Sequence, residues 1–435
     1  MSGLEQNAPG SSEMKIKATG GTTGKYSGVP EYELNLEISM MLRTELETMG
    51  YDVLMTREND DTAISNAERA QLANNAGADA SVRIHANGSE DSSVNGALVL
   101  IGSEDNPYVG KLYEESKDLG KTVLDTYCKE TGMKNLGVQT NDTMTGINWS
   151  SIPVIILEMG FMTNEQDDRN MADEDYREKM VTGIAAGIDQ YFSKKNSNEL
   201  ERKIREKISR EKEYGTEVSV YAEKLGENIT AVVDSVPMES ASLIKLFIAG
   251  CVYEHMDEVA AAESYVGETE NLIQSMISIS DNTAANTLTE RLGSGNAAKG
   301  MELLNNFCEK HGYVDTFMGR LMLASNAEAD NYTSVQDCGK ILKDIYKKEL
   351  VGSEKILHYM EAQERTTKIP AGVPTGIRIA NKTGELSDVE NDVAIVYGES
   401  GTYILCVMMS NLSDVARGRN VITELSTEVY AYMEK

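Results

Sequence analysis

Between residues 51 and 192, short apolar runs alternate with longer segments in which apolar side chains recur every three or four positions. This alternation constrains the fold more than any other feature, because the two periods demand different backbones. "YDVLMT" (51–56), "ASVRIHA" (80–86), "ALVLI" (97–101) and "PVIILEMG" (153–160) read as strands. Residues 64–77, 107–130 and 173–192 read as helices, as does the run through Leu34, Ile38, Met41, Leu42 and Leu46 that Gly50 ends. Strands alternating with helices predict a sheet covered on both faces, an α/β/α sandwich.

The pattern changes after "SKKNSNE" (193–199), which reads as the break between domains. A surface helix striped by Leu200, Ile204 and Ile208 comes next, then "EVSVYAEKL" and "ITAVVD" as a hairpin. A helix-rich block from 242 to about 365 precedes "RIANKTG", "DVAIVYG" and "TYILCVMMS" and a closing helix over 413–434. Two strands before the helical block and three after it predict one antiparallel sheet with helices packed on it. The chain is therefore of α/β class, with expected domains at 1–196 and 197–435.

Composition narrows the partners. With 41 basic and 70 acidic side chains the net charge is −29, which argues against nucleic acid and against charge-driven binding to an anionic membrane. No run of eighteen apolar residues is present, so no spanning helix is expected. The opening "MSGLEQNAPGSSE" lacks the charged and apolar regions of a signal peptide. Cysteines 128, 251, 308, 338 and 406 have no CxxC spacing and read as free core thiols. Only four histidines (85, 255, 311, 358) are available to any metal site.

Ser242 and Lys245, in "SLIKLFIAG", stand at i and i+3 and so project from one side of an expected first helical turn. A serine hydroxyl needs a neighbouring base to act as a nucleophile, and a lysine becomes that base when burial or positive charge lowers its pKa. By itself the pair also fits an N-cap serine beside a surface lysine. "ISISDNTAAN" adds Ser280, Asp281 and Asn282 on an expected helix, and "NKTGEL" adds Lys382, Thr383 and Gly384 on a strand. SxxK, SDN and KTG in this order form the signature of penicillin-recognising serine enzymes.

On those motifs, residues 200–435 resemble the class A β-lactamase and penicillin-binding protein superfamily. The resemblance implies Ser242 as the acylated nucleophile, Lys245 as its base and Ser280 as the proton relay to the leaving nitrogen. It also implies Asn282 as a holder of the substrate amide and Lys382 and Thr383 as binders of the substrate carboxylate. Gly384 would let the strand pack close to the substrate, and the Glu385 N–H would complete the oxyanion hole. The ExxLN glutamate of true class A β-lactamases has no counterpart in "GRLMLASNAEADNYTSVQD"; Glu328 is present there without that context. Slow turnover of β-lactams, or a peptidase acting on D-Ala-D-Ala-like stems, is the expectation.

"PEYELNLEISMMLRTELETMGYDVLMTREND", "AERAQLANNAGADASVRIHANGS" and "PVIILEMGFMTNEQDD" resemble the zinc-dependent N-acetylmuramoyl-L-alanine amidases over residues 25–193. The resemblance implies zinc as cofactor, Glu31 and His85 as metal ligands and Glu158 as the catalytic glutamate. Taken singly, Glu31 also fits a first-turn acid, His85 a strand-end histidine and Glu158 the point where a buried strand meets water. No histidine precedes His85, whereas the family carries its first zinc histidine in an upstream strand. The expectation is that the chain begins downstream of that strand.

Together the resemblances imply a bimodular, bacterial, cell-wall-associated or extracellular peptidoglycan hydrolase. It would pair a zinc amidase with an SxxK serine acyl hydrolase acting on stem peptides or β-lactams. The alternative is a serine hydrolase whose first domain is inactive and serves as a wall-binding module.

Overall fold

The computed structural model describes residues 3–325 and 329–435. They form two compact units, one ending at Phe192 and the other beginning at Ser193.

In the first unit a small hairpin, β1 (Leu4–Gln6) and β2 (Met14–Ile16), leads to helix α1 (Glu31–Thr48) and helix α2 (Asn66–Ala76). Ser65 and Glu68 start α2 with a reciprocal capping box, and Gly77 ends it in the left-handed region. Strands β3 (Ser81–Asn87) and β4 (Ala97–Ile101) follow, then helix α3 (Tyr113–Thr131), β5 (Asn135–Thr140), the short α4 (Thr145–Asn148), β6 (Val154–Phe161) and helix α5 (Glu165–Ala172). The four longer strands make a mixed sheet in the order β3-β6-β4-β5, with β3 parallel to β6 and β4 antiparallel to it. Ile84, Ile155, Leu157 and Val99 point into one core with Leu34 and Ile38 of α1 and Leu119 and Val123 of α3. Val154 and Ile156 point the other way, into a smaller cluster with Val109, Leu112 and Ile147. That second face is only partly covered, and His85 and Glu158 lie on it.

Residues 51–56 form no strand, contrary to the alternation of "YDVLMT". Tyr51 and Val53 pack against the core, but the segment pairs with no described strand, and one-sided packing satisfies the same pattern. The break between domains expected at 193–199 begins where the second compact unit begins, at Ser193, but no loop marks it. Helix α6 runs unbroken from Glu174 to Glu213, because neither Gly nor Pro occurs between Gly187 and Gly215.

The second unit is built on a five-stranded antiparallel sheet, ordered β11-β12-β13-β7-β8, of β7 (Glu217–Lys224), β8 (Ile229–Val233), β11 (Arg378–Glu385), β12 (Glu390–Gly398) and β13 (Gly401–Ser410). The two-residue strands β9 (Met238–Glu239) and β10 (Tyr332–Thr333) pair separately. One sheet face, through Val393, Ile395, Ile404 and Cys406, packs on the helical block α7 (Ile244–Glu254), α8 (Met256–Ala260), α9 (Glu268–Ser278), α10 (Asn282–Leu292), α11 (Ala297–His311), α12 (Val335–Tyr346) and α13 (Ser353–Glu361). The opposite face, through Ala394, Val396, Leu405 and Val407, packs on Leu200, Ile204 and Ile208 and on the closing helix α14 (Val415–Met433). All five cysteines are free thiols, four of them buried. No described helix is long and apolar enough to cross a membrane.

Candidate active site

Ser242 does not open an α-helix. It sits in a 3₁₀ turn, Ala241–Leu243, and α7 begins at Ile244. Ala241 holds a left-handed φ of 45°, a strained conformation for a residue with a Cβ. Every residue of α7 from Ile244 to Tyr253 is buried. Lys245 therefore leaves solvent completely, carried inward by the helix that anchors the turn.

Nothing apolar neutralises that amine; a ring of polar atoms receives it. Lys245 Nζ lies 3.1 Å from Ser242 Oγ and 3.1 Å from Ser280 Oγ, and it donates to Asn282 Oδ1 and the Ser280 carbonyl at 2.7 Å each. Burial pushes its pKa down from 10.5 to about 7; Asp281 works against this and Arg365 adds to it. Ser280 is not helical: α9 ends at Ser278, Ser280 takes φ 63°, and the Asp281 side chain caps α10, which starts at Asn282. The left-handed residue turns the Ser280 side chain and carbonyl toward Lys245.

Strand β11 supplies the third side. Lys382, fully buried, donates to Ser280 Oγ at 3.0 Å, so that hydroxyl stands between two amines. Burial first, and the neighbouring cation Lys245 second, push the Lys382 pKa well down. The Thr383 hydroxyl is buried with no hydrogen-bond partner among the described residues. A Cβ on Gly384 would stand 2.8 Å from the Ser240 carbonyl and 3.2 Å from the Ser242 nitrogen. Gly384 thus lets β11 lie against the turn that carries Ser242, a tighter constraint than room for a ligand. Ser242, Lys245, Ser280, Asn282, Lys382, Thr383 and Gly384 come together in one place. Neither the strained Ala241 nor Arg365, which acts on both lysines, carries a motif signal that would single it out. Glu328 lies outside the described residues.

The first unit holds a cleft of about 810 Å³ on the open face of its sheet, lined by Glu31, His85 and Glu158 among others. His85 and Glu158 are register partners on β3 and β6. His85 Nδ1 is 3.1 Å from Glu31 Oε1. The other Glu31 oxygen accepts the Thr22 N–H at 2.8 Å, and Asn35 donates to Oε1 at 3.2 Å. Gly21 lies so close that a Cβ there would sit 2.4 Å from Glu31 Oε2. Burial and then the Glu31 charge raise the Glu158 carboxyl to about 7. Burial lowers the His85 pKa, against the pull of Glu31.

A catalytic zinc takes three protein ligands and an open position. Glu31 and His85 are two, their facing atoms are bonded to each other, and no group of three or more His, Cys, Asp or Glu among the described residues is placed to hold a metal. The residues present do not fit that site.

Residues 10–190 match the family described as N-acetylmuramoyl-L-alanine amidase, and residues 267–433 match the beta-lactamase enzyme family. The chain carries a domain of each family, the amidase domain first, and both families are hydrolases. Over 168 residues, 38% of this chain, it is 30% identical to N-acetylmuramoyl-L-alanine amidase LytC of Bacillus subtilis (strain 168). It spans only 32% of that relative's length. Among solved structures, PBP-A resembles 54% of this chain over 96% of its own, at 24% identity and a TM-score of 0.47. The catalytic domain of the amidase CwlV from Bacillus (Paenibacillus) polymyxa var. colistinus resembles 41% of this chain over 91% of its own, at 25% identity and a TM-score of 0.35.

Proposed function

We propose that the beta-lactamase-family domain is a serine acyl hydrolase acting on peptidoglycan stem peptides or β-lactams, and that the amidase-family domain holds the muramoyl-peptide part of the wall. The observation that carries the first part is the buried Lys245 amine, poised to lose its proton near neutrality, 3.1 Å from Ser242 Oγ. Neutral Lys245 takes the Ser242 proton as Oγ attacks the substrate carbonyl carbon. The resulting oxyanion faces the N–H groups of Ser242 and Glu385. When the C–N bond breaks, Ser280 Oγ passes a proton to the leaving nitrogen and is resupplied from the lysine pair around it. Lys382 and the unpartnered Thr383 hydroxyl fit a substrate carboxylate, and Asn282 the substrate amide. Water then releases the acyl group.

The misfit of Glu31 and His85 to a three-ligand zinc site favours binding over hydrolysis in the first domain, and no step is routed through a metal there. Substrates of this class place the protein outside the cytoplasm, at the cell wall. The test is chromatography of stem peptides ending in D-Ala-D-Ala after incubation with the full chain. Release of D-alanine that disappears in Ser242→Ala supports the reading; equal release by both proteins overturns it.

A further inference from the structure

Two guanidinium groups in the amidase-domain cleft lack a counter-ion. Arg57 pairs with Asp60 at 2.7 Å, Lys15 with Glu13 at 2.8 Å, and Glu31 is bonded to His85. Arg69 Nη1 donates to Thr56 Oγ1 at 2.8 Å, and Arg83 Nη2 donates to Asn66 Oδ1 at 2.7 Å. Neither arginine forms an ion pair among the described residues, and Arg83 Nη1, which lies against Gly146, is buried with no hydrogen-bond partner among them. The two are close enough to repel one another. Glu5 is near enough to act on Arg83, but its carboxylate is turned to the Ala67 N–H at 3.3 Å. In a chain with 70 acidic and 41 basic residues, two adjacent unpaired arginines are not explained by a shortage of carboxylates.

The placement is built in. A Cβ on Gly146 would stand 1.3 Å from Arg83 Nη1, so α4 carries a glycine where the guanidinium lies. Arg83 and His85 share one face of β3, two residues apart, which is about 7 Å along an extended strand. Planar guanidinium groups take carboxylates in bidentate fashion, and two side by side favour a bound anion over any neutral group.

We propose that Arg69 and Arg83 form a carboxylate-binding subsite that reads an acidic second residue on a muramoyl stem peptide. The proposal rests on the reading of the cleft as a muramoyl-peptide site. A peptide whose first amide lies at His85 and Glu158 carries its second residue one extended step further on, about 3.5 Å per residue. The branching α-carboxylate of a γ-linked glutamate there would reach toward Arg83; its carboxamide keeps an acceptor oxygen but loses the negative charge that two adjacent guanidinium groups favour.

Calorimetric titration of the full chain tests this, with N-acetylmuramoyl-L-alanyl-D-glutamate against the same compound bearing an α-carboxamide. The expected result is at least about tenfold tighter binding of the acid, a margin of the size a charge-assisted pair supplies. Arg83→Gln should bring the two affinities together by weakening the acid alone, and Arg83→Lys should keep part of the preference. Equal affinities in the unaltered protein would overturn the subsite and leave the cleft reading standing. Binding of neither compound would overturn the cleft reading and the subsite with it. If Arg83→Gln weakens acid and amide alike, Arg83 shapes the cleft rather than reading the ligand, and the proposal is wrong.

Discussion

The proposed role of Lys245 as base ties acylation of Ser242 to the titration of that amine. Burial takes its pKa from 10.5 to about 7. At pH 7.4 roughly seven molecules in ten then hold a neutral amine, against about one in a thousand for an unperturbed lysine. On the proposed mechanism, that difference, nearly a thousandfold in available base, is what the buried position on α7 would contribute to acylation at neutral pH. The second-order rate of labelling by a fluorescent penicillin, measured from pH 5 to 9, should rise tenfold per pH unit and level off just above 7. Neighbouring charges move the inflection in opposite directions. Arg365 lowers the Lys245 pKa, so Arg365→Gln should shift the inflection upward; Asp281 raises it, so Asp281→Asn should shift it downward. Lys245→Arg, which cannot give up its proton, should cut the rate by about a thousandfold or more. A rate that is flat from pH 5 to 9, or that climbs only near 10, would show that Lys245 is not the base.

Gly384→Ala forces a methyl group to 2.8 Å from the Ser240 carbonyl; it should cost about 1–3 kcal/mol of stability, read as a lowered melting temperature, and slow labelling by displacing the Ser242 turn. The β-lactam adduct should persist for many minutes by intact-mass spectrometry, since residues 317–335 carry no ExxLN glutamate to activate water; nitrocefin turnover at tens per second would contradict this. The purified chain should contain well under one zinc per molecule by elemental analysis, because Glu31 and His85 are two donors where three are needed; stoichiometric zinc lost on His85→Ala would refute the misfit.

Much of this architecture was legible because local patterns and pairing agreed. The antiparallel sheet of the second unit follows from five apolar segments, and β12 and β13 send one face to the helical block and the other to α14 and Leu200, Ile204 and Ile208. The segment 51–56 misled because alternation records which side chains face a core, not whether a neighbouring strand exists to pair with. "SKKNSNE" marked where the second unit begins but not its backbone, because a polar stretch of helix reads like a linker when it contains no Gly or Pro to break it. In the serine site, motif spacing singled out residues that the fold brings together, but not their backbone. The 3₁₀ turn at Ser242 packs against Gly384, a contact distant in sequence, and the left-handed Ser280 precedes the cap at Asp281 and meets Lys245 and Lys382 from other elements. The unpaired state of Arg69 and Arg83 is also a property of the fold, since nothing in "AERAQLANNAGADASVRIHAN" says which charges meet.

The central claim is that Ser242 is the nucleophile, and one measurement addresses it directly. The full chain is exposed to benzylpenicillin at pH 7.5, digested, and the modified peptide located by tandem mass spectrometry. The account predicts a single penicilloyl adduct on Ser242, absent from a folded Ser242→Ala variant, whose stability should change by only about 1 kcal/mol, as for loss of one hydroxyl hydrogen bond. An adduct on any other residue, or one that survives the substitution, would contradict it.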